Sequence, residues 1–524
     1  MKRLLTLALA LAMTLSLASC KSDGNETSTD SNSEFKNEVV VAVKDDTDTF
    51  DPQVANGATA DGLMLLLYSP LLQFDEKGNA QPHIVTEWTT SEDQNTWTFK
   101  IRDDVKFHNG KQMTAHDIKA TLDRALYSEG GLKTTATIEM FEKVEAPEDY
   151  VFTVTTKEPY GAMLSLLCNL WVMDSEMIEK YGMDIGKKPE AVNGTGPYKL
   201  SSWEPDQEIL VEGFDDYFIK ELVPKTKYVR HVVIPEAASQ VIALETGEID
   251  IAKIPSDEIE RFRSLEGFKL LEESGNGQRC FRFGCNDEIM KNTKVRQAIV
   301  HAIDRKSINQ TVFNGMAQEC TSPFTPAIWG YCNLGEIEQD LELSKKLLEE
   351  AGYPDGFDTK IVTTDHYAKG TQLAEVISHQ LKEIGINAKI EVLEWSAFLS
   401  MINGITEEEL DAPIFIMGTG PSSRDQDTSV RNLYGTSPNG LNDMNYGFYS
   451  NPKVDELGQK QMTQTNPEER KATLKEINQI IYLDDPAAFW IHDQIKNMGM
   501  SDKVEGAKMD VAGYVIPMEI TVKR

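Results

Sequence analysis

Short β-branched strands alternate along this chain with amphipathic helices that stop at glycine, and no other pattern limits its fold as much. VRHVVIP from Val229 reads as a strand. Ala237 to Thr246 then carries Ala238, Val241 and Leu244 on one helical stripe, Gly247 suits the left-handed stop, and Ile249-Asp250-Ile251 opens another strand. The same order returns further on. Asp340 caps LELSKKLLEEA, Gly352 ends it and Pro354 prevents continuation. Gln372 to Ile384 sets Leu373, Val376, Ile377, Leu381 and Ile384 on one face, closes at Gly385 and leads into the strand Ala388 to Leu393. Asn466 and Pro467 start a helix that turns Leu474, Ile477 and Ile481 inward. Nearer the N-terminus, EVVVAV (Glu38 to Val43) and WTFKI (Trp97 to Ile101) read as strands, and Thr114 with Asp117 opens a helix. Such alternation argues for α/β domains rather than a helix bundle or a β-sandwich.

The N-terminus belongs to a different regime. Lys2 and Arg3 precede an uncharged Leu- and Ala-rich run, Leu4 to Ala18, which ends in Leu17-Ala18-Ser19-Cys20. Basic start, short apolar run and small residues make residues 1–19 a secretory signal peptide. The Cys at the cleavage point resembles the lipobox of bacterial lipoproteins, which implies cleavage before Cys20 and a diacylglyceryl group on its sulfur; a plain secreted protein with an incidental Cys is the alternative. The next residues, KSDGNETSTDSNSEFKN, carry one large apolar side chain, Phe35, so residues 20–37 are expected to form a flexible tether and the globular part to begin near Glu38.

Charge narrows the partners. With 84 acidic against 52 basic residues the formal charge is −32, which excludes a nucleic-acid surface and makes anionic lipid a poor match beyond the acyl anchor. Beyond Cys20 the cysteines are Cys168, Cys280, Cys285, Cys320 and Cys332, an odd number. Cys280 and Cys285, five apart on one strand, point to opposite faces; Cys320 and Cys332 flank a Pro-containing loop, where a disulfide and two buried thiols are equally open. No paired-Cys zinc motif, HExxH, GxSxG or P-loop occurs.

Four blocks carry a resemblance. EWTTSEDQNTWTFKIRDDVKFHNGKQMTAHDIKATLDR (from Glu87), NGTGPYKLSSWEPDQEILVEGFDDYF (from Asn193), TKVRQAIVHAIDRKSI (from Thr293) and LLEEAGYPDGF (from Leu347) are similar to the family 5 solute-binding proteins of bacterial ABC importers. The resemblance implies a periplasmic-binding-protein-like type II α/β fold with two lobes, an appended domain and a hinge. The corresponding division is domain I from 38–68, 191–285 and 491–524, domain II from 69–190 and domain III from 286–490. In block order, Trp88, Trp97, Phe99 and Phe107 are core candidates, and Gly194-Thr195-Gly196-Pro197 is a candidate crossover between lobes, with a tight loop as the alternative.

The family implies capture of a small solute, here a short peptide, by hinge closure and delivery to a permease and its ATPases. Such a protein is a monomer without cofactor and not an enzyme. A second GTGP, from Gly418 and Thr419, ends the strand DAPIFIM, a usual place for ligand contacts. In peptide-binding members an Asp of the loop that follows holds the ligand's amino terminus, and Asp425 and Asp427 fall in that stretch, Asp425 the closer match. Loop capping is their ordinary alternative. Arg424 and Arg431 are candidates for the ligand carboxylate against the alternative of ion pairs within the protein. Trp395 matches a position where the family often sets an aromatic beside the cleft, and Tyr434 is a weaker candidate, as are Tyr68, Trp329 and Tyr446. SSRDQDTSVRNLY followed by GFYSNPKVDEL is more similar to glutathione-binding members than to the dipeptide pattern. Other solutes (a nickel chelate, an opine, an oligosaccharide), a peptide receptor that feeds no transporter, and an extracellular hydrolase are the rivals. The eight His are scattered, which disfavours nickel.

Overall fold

The computed structural model describes residues 34–128, 132, 134, 138–367, 369–420, 423–437, 440–441 and 444–524. The signal peptide and Cys20 lie outside the described residues. One mixed sheet of ten strands runs through the molecule in the order Ile386–Leu393, Phe357–Thr364, Ile414–Thr419, Phe268–Phe283, Ala488–Ser501, Ile251–Ala252, Glu38–Val43, Tyr228–Val233, Glu208–Gly213, Tyr198–Glu204. Its halves belong to different cores. Val39, Val41, Leu63, Tyr198, Val211 and Val229 pack together in the first lobe, while Phe281, Ile299, Ile361, Leu373, Ile414 and Trp490 pack in the second. A separate four-stranded antiparallel sheet, Val85–Thr90, Thr96–Ile101, Val151–Thr156 and Phe141–Glu148, forms the appendage, and Phe99 stacks on Phe152 at 4.8 Å in its core. Trp97 and Phe107 are buried there, whereas Trp88 is half-buried.

Local chemistry accounts for the helix ends. Asp340 accepts a hydrogen bond from Leu343 N (2.9 Å), Asn466 caps Pro467–Gln479, and Gly247 takes the left-handed φ of 78° that ends Ala237–Thr246. Val241 and Leu244 of that helix are buried, but Ala238 is exposed. In the helix Ala115–Tyr127, Asp117 Oδ2 accepts from Thr114 N at 3.0 Å.

Three expectations need correction. The tether ends earlier than residue 37: Phe35 bridges Lys523, and Lys36 N donates to Val522 O at 2.8 Å, so the fold already holds these residues through the C-terminal strand. Gly194–Pro197 does not cross between lobes. It packs on Leu66–Tyr68 where the appendage meets the first lobe, and a Cβ on Gly194 would lie 1.9 Å from Leu67 O, so close approach of two backbones is why glycine sits there. Cys320 and Cys332 are both free; Cys320 is buried against Gln278 Nε2 at 3.0 Å, and Cys332 lies beside Asn478.

The chain passes between lobes instead on Phe268–Phe283 and Ala488–Ser501, two long antiparallel strands paired with each other. Their register breaks between Ser274 and Gln278, where Gly275, Asn276 and Gly277 face Gln494 alone. Such a bulge interrupts the ladder and lets a strand bend, which makes this the place for a hinge. The second lobe therefore starts nearer Gln278 than 286 and ends nearer Asp493 than 490.

Candidate functional site

The two lobes and the appendage enclose a cleft of about 2110 Å³. The crossover strands supply Asn276, Gly277, Gln494 and Lys496 to its lining, the strand Ile414–Thr419 supplies Gly418 and Thr419, and the first lobe supplies Tyr68, Asp510 and Tyr514. No helix among the described residues is long and apolar enough to cross a membrane, and none of their His, Cys, Asp and Glu groups has the makings of a metal site.

Asp425 and Asp427 lie on one edge of this cleft, and protein donors occupy both. Asp425 is the cap of the helix Gln426–Tyr434: its Oδ1 accepts from Asp427 N at 2.9 Å. Arg470 grips the same carboxylate with both terminal nitrogens, at 2.5 Å and 2.8 Å, and Ser165 Oγ of the appendage donates to it at 2.9 Å. Both ion-pair partners have side chains only 2% exposed. Asp427 accepts from Arg431 at 3.1 Å and 2.9 Å, from Gln461 at 2.5 Å and from Tyr160 Oη at 3.2 Å. Burial alone would raise the Asp427 pKa; the hydrogen bonds and charge of Arg431 outweigh it and hold the carboxyl below its ordinary value. A carboxylate offers about four acceptor positions, and each of these two has four donors. A ligand amine would have to displace one of them, so the geometry supports capping and ion pairing here. Arg431 is spent on Asp427 in the same way.

The pair also fastens the appendage to the second lobe. Gly161 N donates to Met462 O at 2.7 Å, Arg470 Nη1 donates to Gly161 O at 3.3 Å, and the Met462 side chain is buried in the appendage core. A Cβ on Gly161 would lie 2.1 Å from Gln464 O, so the two backbones meet with no room for a side chain.

Arg424 stands apart. It donates to the carbonyls of Ala327 and Glu76, each at 3.1 Å, lies 5.2 Å over the Phe74 ring, and makes no ion pair among the described residues. Of the five aromatic candidates Tyr68 alone lines the cleft, and Trp395 and Tyr434 do not. Trp395 stacks half-buried on His366 at 3.9 Å, behind Tyr367, which does line it. Tyr434 is a core residue, 1% exposed, with its ring 6.4 Å from Phe324 and 6.2 Å from Trp490 and with Arg282 against its face. Its inward direction follows from helical spacing with Val430, also fully buried.

Asp510 is a cleft residue that sequence reasoning missed. It sits in the turn between Lys508–Met509 and Val515–Ile516, where Oδ1 accepts from Ala512 N at 3.0 Å and Tyr514 N at 2.7 Å. Burial holds its pKa above the ordinary carboxylate value. The only local signal was turn chemistry, an Asp three residues before Gly513.

A family profile, bacterial extracellular solute-binding proteins, family 5 Middle, matches residues 79–440. The chain belongs to this family. Among curated relatives, the glutathione-binding protein GsiB of Salmonella typhi is 28% identical over 457 residues, 87% of this chain and 88% of the relative. Two solved structures show the same fold. HbpA2 from Haemophilus parasuis superposes with a TM-score of 0.80 at 22% identity, over 93% of this chain and 100% of that one. DppA from Helicobacter pylori, an ABC transporter-associated periplasmic binding protein in complex with the peptide STSA, gives 0.73 at 25%, over 94% and 99%. The two-lobed fold with its large mixed sheet is thus the family's, and the family is one of solute binding for transport.

Proposed function

We propose that this protein is the membrane-anchored peptide-capturing component of an ABC importer. The cleft carries the reading: it lies between lobes joined by two interrupted strands and holds desolvated groups of both signs, Asp510 on one wall with Arg424 and Lys496 near it. A peptide brings an amine and at least one carboxylate, and burial of these charges requires opposite partners. Asp510 is the group proposed to meet the amine, and Arg424 one carboxylate of a solute that carries two. The strand end at Gly418 and Thr419 offers backbone groups to an extended ligand, which tolerates varied side chains. Closure about Gly275–Gly277 then needs only that the solute bind the closed form more tightly than the open one. The resulting closed surface is what a permease reads.

Glutathione is the first solute to test, since a named relative binds it and its two carboxylates and one amine suit a cleft of mixed charge. The tether and an acyl group on Cys20 keep the binder at the outer face of the membrane. Calorimetry of the chain lacking residues 1–33 against di- to pentapeptides and glutathione tests the capture. Binding to at least one, weakened more for a free-amine peptide than for its N-acetyl form when Asp510 becomes Asn, supports the reading. Binding of sugars or nickel chelates alone overturns it. Expression of Cys20→Ser should move the protein from the membrane to the soluble fraction, and unchanged membrane retention would remove the anchor.

A further inference from the structure

We propose that Lys496 and Gln494, with Arg279 behind them, form an anion subsite on the hinge floor that takes a carboxylate of the solute. The proposal rests on the cleft being the solute site. Arg279 lies on the crossover strand Phe268–Phe283, opposite Gly418. Its guanidinium covers the Tyr367 ring at 4.0 Å, and its Nη1 is buried without a hydrogen-bond partner. Among the described residues Arg279 makes no ion pair, and in a chain of formal charge −32 a half-buried guanidinium with a buried, unpartnered Nη1 and no carboxylate bonded to it needs a reason.

Gly418 gives one. A Cβ there would lie 3.4 Å from Arg279 Nη1, 3.5 Å from Gln494 Nε2 and 3.7 Å from Tyr367 Cε1. Two donors and a ring edge thus converge under a residue that lines the cleft and carries no side chain. Gln494 then connects this point to a second cation: Lys496 Nζ donates to Gln494 Oε1 at 3.5 Å. The Lys496 stem is held from both sides, since a Cβ on Gly275 would meet its Cε at 2.8 Å and one on Gly513 its Cδ at 3.2 Å. Glu273 is its partner in strand register, yet the two form no ion pair. Burial and then the charge of Lys253 lower the Lys496 pKa, while Asp510 opposes them; burial likewise lowers that of Arg279.

Two cations on either side of one amide, neither in an ion pair among the described residues and with Asp510 the nearby carboxylate that acts on Lys496, are a receptor for an anion with paired oxygens. Because all three side chains stand on or beside the interrupted ladder, an anion placed there draws the two crossover strands into one arrangement. Carboxylate recognition is thereby tied to hinge geometry, and solutes bearing a second carboxylate are favoured over neutral peptides of the same length.

Two ligand sets separate this subsite from the peptide reading. The first is succinate against succinamide, by thermal shift. The second is glutathione and Ala-Ala-Ala against their C-terminal amides, by calorimetry. Each is run on wild type, Lys496→Met, Lys496→Arg and Arg279→Met, with circular dichroism to confirm folding. Expected is stabilisation by succinate but not succinamide, lost in Lys496→Met and kept in Lys496→Arg. For the peptides, Lys496→Met should weaken the acid about tenfold and its amide less than about threefold. Arg279→Met should follow the same direction more weakly. Peptides that bind Lys496→Met and wild type alike, or acid and amide that weaken together, overturn the subsite and leave the peptide reading standing. Response to succinate through Lys496 without binding of any peptide overturns the peptide reading and leaves the subsite.

Discussion

Replacing Arg470 by Leu tests whether the Asp425–Arg470 pair is a buried fastening or a solvated contact. In the native protein Arg470 makes two bonds to Asp425, one to Gln461 Oε1 at 3.1 Å and one to Gly161 O, and lies 4.6 Å over the Trp329 ring. Its loss leaves a carboxylate that is 2% exposed with only Ser165 Oγ and Asp427 N as donors. Removing one partner of a buried pair costs about 3–5 kcal/mol, because the other charge stays behind. In a unit of roughly 200 residues each kcal/mol moves Tm by about 2–4 °C, so the second lobe should melt about 6–20 °C lower. Asp425→Asn combined with Arg470→Leu removes both charges and should recover about 2 kcal/mol or more of that loss. Scanning calorimetry of the four proteins gives the coupling. A single Arg470→Leu variant within about 1 kcal/mol of wild type, or a double variant no better than the sum of the singles, would refute the argument.

Acid should destabilise the fold through buried imidazoles. Burial pushes His83, His108, His231 and His492 down to about 4. The unfolded chain takes these protons from about pH 6.5 downward while the folded chain refuses them until about pH 4, so stability falls across that window, and between pH 7 and 5 each group contributes about 2 kcal/mol of the loss. Asp493, raised to about 6 by burial, works the other way, since the folded form holds its proton first. His231→Phe should shrink the pH 7-to-5 loss in urea titrations by about 2 kcal/mol, and an unchanged loss contradicts a neutral buried ring. Gly194→Ala should cost at least about 3 kcal/mol or abolish folding, because the new Cβ meets the Leu67 carbonyl; near-native urea stability would mean that the loop yields. The denatured chain without residues 1–33 should show five reactive thiols with no reductant, and three would reveal a disulfide.

What could be read in the sequence was mostly what acts over a few residues. Asp340, Asn466 and Gly247 bond or turn within one helical turn of themselves, so residue type and spacing suffice. Asp425 is different: an Asp before a helix suits a cap and a ligand contact equally, and the residues that decide, Arg470 and Ser165, lie 45 and 260 positions away. The hinge was legible in principle, as Gly275-Asn276-Gly277 interrupts a strand pattern. Gly194 and Gly196 drew the eye instead, although they are glycines for lack of space and not for freedom of φ. Asp510 gave only a turn signal and Lys496 none, since their meaning comes from strands that only the tertiary fold sets side by side.

The contact at Gly161 has an unusual selectivity. A methyl group added there would meet its nearest neighbours across the join and not within the appendage: the Gln464 carbonyl oxygen at 2.1 Å and Arg470 Cδ at 3.0 Å. Under the proposed closure, Gly161→Ala is therefore expected to act on the joined form alone: each half should keep its thermal endurance, and the residence time of the cargo should shorten. Natural variation at this residue would tune release without touching a single atom that recognises the guest.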